Sequence, residues 1–289
     1  MRALGWFLAA MAGTLILAAA LGYPAWRLAQ AIEPNWQFHR VTSRLWQLLL
    51  LGGLVLAVRR LRLRGREDWG YGLPRPVFLR QFGAGLAIGL ATMLPMSLAM
   101  LALGILEPAP EVGADALFKL IAAGAATGLA VALIEETFFR GLMFRAIERE
   151  SGLAIAVAGT AFVYAAIHFL ARARLPHADI GWGSGFELLS VVLARFAEPL
   201  AILDSFVTLT LVGVLLALVR HRTGGIAAGI GLHMGWVCVI KTTHWSTSPA
   251  AEPRWSFLIG SFDGYTGWLV AGWAALLLTA WLAFRRARE

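Results

Sequence analysis

Long apolar blocks alternate with short polar connections along this chain. A helix that crosses a membrane needs roughly 17–25 mostly apolar residues. On that basis the blocks fall at residues 3–22, 43–58, 82–105, 117–144, 151–170, 200–219, 226–241 and 265–284. The pattern predicts an all-α fold: a polytopic membrane helix bundle of about eight transmembrane helices, forming a single integral membrane domain over residues 1–289. The blocks at 43–58 and 226–241 are short, which suggests tilted or partly re-entrant segments. The connection 171–199 is long, and its stretch FELLSVVLARF has the character of a helix lying along the membrane.

Charge adds an orientation. Residues 59–66 read RRLRLRGR; Arg145 and Arg149 follow the fourth block, and Arg220 and Arg222 separate the sixth from the seventh. The connection 106–116 carries instead Glu107, Glu111 and Asp115 and no basic residue. The positive-inside rule places the arginine-rich connections, and with them both termini, on the cytoplasmic side. Loop 171–199 breaks the contrast with Arg172, Arg174 and Arg195. The first block resembles a signal peptide. Its length and the even helix count favour a retained helix.

Composition agrees with a membrane domain. The chain is 59% hydrophobic and only 15% charged, less charged than ordinary soluble domains. Its net charge of +8 resides in the connections, so it does not imply nucleic acid. One cysteine, Cys238, excludes an internal disulfide and a cysteine-based zinc site. The arginine and alanine bias points to a bacterial chain, hence to a multi-pass protein of a bacterial inner membrane.

Against this apolar background the stretch IEETFFRG, residues 134–141, stands out. An ionised group at mid-bilayer costs about 2.5–3.5 kcal/mol on insertion scales. Glu136 and Arg140 are four residues apart, share a helix face and can pair. Glu135 is rotated by about 100° and lacks such a partner. His168 lies in the next apolar block. Glu135 is 16 residues before Ser151 and His168 is 16 residues after Gly152, so a hairpin folded at Ser151–Gly152 sets both at one depth, roughly 24 Å from the turn. His233 lies in the seventh block. His39, His177, His221 and His244 fall in connections or near helix ends. A glutamate and two histidines on three helices form a water-activating or metal-binding set. No H-E-x-x-H helix is present, and Gly183-Ser184-Gly185 falls in a predicted loop with no helix to hold a serine nucleophile.

These residues resemble the CAAX protease and bacteriocin-processing family, also called Abi proteins, which are similar to the eukaryotic CAAX prenyl endopeptidase. EETFFRG matches the family's E-E-x-x-x-R motif. Tyr164-Ala-Ala-Ile-His168 matches F-x-x-x-H with Tyr for Phe. His233 follows an Arg222-Thr223-Gly224 turn, as in the third motif, H-x-x-x-N or H-x-x-x-D, but Val237 stands at its last position. The resemblance covers about residues 75–240, the expected catalytic core. It implies that Glu135 is the general base, assisted by His168. Glu136 and Arg140 then position Glu135, with Tyr164 in support. His233 stabilises the oxyanion. Val237 supplies no hydrogen bond there.

The expected function is therefore an intramembrane endopeptidase without a cofactor, acting in the lipid bilayer on a membrane protein or peptide, with no nucleic acid partner. One alternative is a zinc-dependent protease with Glu135, His168 and His233 as ligands. Another is a non-proteolytic membrane scaffold or immunity protein of the same fold, which Val237 favours. A transporter is a weaker alternative, because no internal repeat or broken helix is evident.

Overall fold

The computed structural model describes residues 2–109, 112–170, 174–175, 179–251, 253–260 and 262–286. Glu111, Arg172 and His177 lie outside the described residues. The fold is an all-α membrane helix bundle. Helices α1 (Arg2–Ile32), α2 (Phe38–Arg60) and α3 (Arg75–Ala102) precede α4 (Ala114–Glu135). A π-helical segment, Glu136–Met143, continues α4 without a break into α5 (Phe144–Ser151). There follow α6 (Leu153–Phe169), α7 (Ser184–Ala194), α8 (Pro199–Thr223), α9 (Ala227–Ser246) and α10 (Trp268–Arg286). Among the described residues, five helices are long and apolar enough to cross a membrane: α1, α2, α3, α4 with its extension to Ser151, and α8. The apolar stretches of α6 and α10 are shorter.

The two blocks expected to be re-entrant are uninterrupted helices of 23 and 20 residues, α2 and α9. The apolar stretch understates them because the backbone stays helical through polar ends such as His39-Arg40 and Thr242-Thr243-His244. The stretch FELLSVVLARF does form a helix, α7. Ser184 begins it rather than sitting in a loop, and the Ser184 hydroxyl is buried and accepts the Gly181 N–H.

Two glycine-lined seams fix the helix that carries His233. Helix α9 is wedged between α3 and α4. A Cβ at Gly85 or Gly89 of α3 would collide with the carbonyls of Ala228 or Leu232. A Cβ at Gly128 of α4 would stand 2.7 Å from the Met234 oxygen. Without a hydrophobic drive between helices in lipid, such backbone approach is the main source of packing energy. At one end of the bundle, strand β1 (Leu106–Pro108) pairs antiparallel with β2 (Thr247–Pro249) and ties the α3–α4 connection to the end of α9. At the other end, Gly152 (φ 82°) turns α5 into α6, and Gly224 (φ 72°) caps α8 in the left-handed conformation.

Candidate functional site

The site forms where the π-helical segment meets α6, α8 and α9. A π-turn closes with i→i+5 rather than i→i+4 bonds, and such bulges recur at functional sites. Here it follows directly on Glu135, so the two adjacent carboxylates straddle the change of helical register. They converge on one imidazole. Nδ1 of His233 lies 3.0 Å from Oε1 of Glu136, and Nε2 lies 3.8 Å from Oε2 of Glu135. Ionised Glu136 can only accept, so Nδ1–H of His233 donates to it. Glycine at 229, one turn before His233, makes the approach possible: a Cβ there would stand 2.9 Å from Oε2 of Glu136.

Glu136 and Arg140 pair at 3.1 Å, and both side chains are fully buried. The guanidinium also donates to the carbonyl of Gly213 on α8 at 3.2 Å. Its carbon sits 4.4 Å from the ring centroid of Tyr164, a cation–π contact. One carboxylate thus joins an arginine and a histidine. Taking the partner from such a buried pair leaves a charge that no water reaches, which typically costs 3–5 kcal/mol. Glu135 differs in exposure: its side chain is 25% exposed, while Oε2 of each carboxylate is enclosed and has no hydrogen-bond partner among the described residues.

Among the described residues no hydrogen bond or ion pair joins His168 and Glu135. The His168 Nδ1–H donates to the Tyr164 carbonyl at 2.7 Å, which fixes the tautomer and leaves Nε2 as an acceptor. Between the two histidines stands the Tyr164 ring, 4.5 Å from that of His168 and 6.2 Å from that of His233. The spacing from Ser151–Gly152 fixes depth along the helices but not the direction in which each side chain leaves its helix. Val237 is half-buried on α9, one turn beyond His233. Two other side chains with a polar hydrogen near it are engaged elsewhere. Trp236 donates its indole N–H to Thr92 Oγ1 at 2.9 Å, and Thr160 donates to the Ala156 carbonyl at 2.7 Å. Among the described residues, two further histidines stand apart. His221 pairs with Glu148 at 3.1 Å, and His244 is exposed.

Among the described residues no group of three or more histidine, cysteine, aspartate or glutamate side chains is arranged to hold a metal.

Sequence reasoning missed two supports of the π-helical segment. Arg220 reads as a topology arginine, yet it is buried, and its Nε–H donates to the carbonyl of Arg140 at 3.1 Å. The connection before α3 presses on the other side. The Tyr71 hydroxyl hydrogen-bonds that of Thr137 at 2.7 Å, and Gly141 packs against the carbonyl of Trp69. A glycine one residue past the motif arginine is the only trace of this contact in the sequence.

No curated protein and no solved structure matches the chain. Residues 117–239 match the model of a family described as type II CAAX prenyl endopeptidase Rce1-like. The matched region runs from the start of α4 well into α9 and contains Glu135, Glu136, Arg140, Tyr164, His168, His233 and Val237. This region of the chain, site included, is similar to the Rce1-like family of CAAX endopeptidases.

Proposed function

We propose that the protein is an intramembrane endopeptidase that hydrolyses a peptide bond with water activated by Glu135. The observation that carries this reading is the division of labour between adjacent carboxylates. Glu136 is sealed and committed to Arg140 and His233, while the Glu135 side chain is 25% exposed. A general base must reach its substrate's water, and only the second carboxylate can. The match of residues 117–239 to a CAAX endopeptidase family supports peptidase chemistry. The arrangement of the residues supports the roles.

In the proposed step, Glu135 takes one proton from water as the water oxygen bonds to the scissile carbonyl carbon. The C=O π pair moves onto oxygen. The tetrahedral intermediate then expels the amine, which takes the proton from Glu135, leaving a new carboxyl and a new amino terminus. His168, with Nε2 unprotonated, is the second acceptor for the water. His233 is held by Glu136 through Nδ1, much as a buried carboxylate orients a catalytic imidazole. In its doubly protonated form its Nε2–H is a donor to the oxyanion.

The proposed setting is the cytoplasmic membrane of a bacterium, with a membrane-embedded protein or peptide as substrate. Val237 is the observation that favours the second reading, a non-proteolytic scaffold or immunity protein, because its side chain offers no polar hydrogen one turn from His233. The test is reconstitution into vesicles with membrane-anchored peptides and mass analysis of the products. Wild-type protein cleaves with or without a strong chelator, and His233→Ala does not. Cleavage lost on chelation supports the metal reading. A wild-type protein that cleaves nothing supports the scaffold.

A further inference from the structure

We propose that Tyr164 is a catalytic residue, its phenol hydroxyl supplying the neutral hydrogen bond to the oxyanion that forms when the peptide carbonyl is attacked. The inference rests on the peptidase reading and deepens it. When the carbonyl π pair moves onto oxygen, the new charge needs a donor already in place. Few donors remain in this site. The Trp236 indole and the Thr160 hydroxyl are committed to Thr92 and to the Ala156 carbonyl. The Arg140 guanidinium is sealed and spends its terminal nitrogens on Glu136 and Gly213. His233 serves only in its doubly protonated form, since its single Nδ1 proton goes to Glu136.

Tyr164 differs from all of these. Its ring is 3% exposed and locked between both histidines, Phe139 and the Arg140 guanidinium. Its hydroxyl nevertheless has no hydrogen-bond partner among the described residues. A buried tyrosine normally finds a partner for its hydroxyl. A hydroxyl held rigidly and unpaired, on a ring that touches both site histidines, is pre-organised for a group that arrives with the substrate.

The experiment uses the full chain in vesicles, internally quenched membrane-anchored peptides, and a peptide analogue with a phosphonate in place of the scissile amide. Tyr164→Phe keeps the ring, its cation–π contact and its packing. The expected result is a fall in kcat of about 10²–10³-fold, the loss seen on removing one oxyanion donor. KM and the unfolding temperature stay within error, and phosphonate affinity falls by the same factor as kcat/KM. Tyr164→Phe at the wild-type rate overturns the proposal and leaves the peptidase reading intact. So does a slower variant that binds the phosphonate as tightly as wild type. A wild-type protein that cleaves no peptide overturns both.

Discussion

Oε1 of Glu136 lies 3.0 Å from Nδ1 of His233 and 3.1 Å from a terminal nitrogen of Arg140, and the side chains of the pair are sealed from solvent. A residue expected to brace its own helix therefore also grips a histidine 97 positions downstream. The carboxylate links the π-helical segment to α9 directly and, through Arg140 and the Gly213 carbonyl, to α8.

The first prediction concerns that link. Arg140→Met or Glu136→Gln alone strands a buried charge and should cost about 3–5 kcal/mol in unfolding free energy. The double variant strands neither and should cost clearly less than the sum of the two. Denaturant unfolding in detergent micelles measures all three. Additive losses would show that the pair does not act as a unit.

A second prediction separates position from charge. Gly229→Ala sets a methyl group 2.9 Å from Oε2 of Glu136. It should push the carboxylate and α9 apart, costing about 1–3 kcal/mol and a larger share of activity than of stability. Gly52→Ala, where nothing lies within 4 Å, is the control and should be neutral or slightly stabilising. Melting temperature and cleavage rate for both variants check this.

The third prediction distinguishes two arginines that look alike in sequence. Arg220 is buried on the carbonyl of Arg140, and Arg222 is exposed. Arg220→Met should destabilise by about 1–3 kcal/mol, because a buried carbonyl loses its partner. Arg222→Met should change stability by less than about 0.5 kcal/mol. If both were only topology signals, the two variants would behave alike in unfolding and in protease-protection assays of orientation.

What was legible in the sequence follows from the same physics. Apolar length marks every main helix, because lipid enforces long uninterrupted runs. It misplaces their ends, since Thr242-Thr243-His244 and residues 144–151 stay helical beyond the apolar stretch. The Ser151-Gly152 turn was visible as a glycine between helices. The change to i→i+5 bonding was not, because nothing in ETFFRGLM distinguishes it from an α-helix. Once that register is missed, Glu135 and Glu136 seem to belong on different faces, and both turn out to reach His233. Equal depth of Glu135 and His168 on two helices likewise leaves side-chain direction open, and the sequence does not show that the His168 Nδ1–H turns to the Tyr164 carbonyl.

The measurement that tests the central claim most directly is the single-turnover cleavage rate of Glu135→Gln beside wild type, in chelator, on one peptide shown to be cut. The variant keeps the shape of the side chain and cannot take a proton from water. The account predicts a fall of about 10²–10⁴-fold, the usual contribution of a general base, with an unchanged unfolding midpoint. Cleavage by Glu135→Gln at the wild-type rate would contradict it.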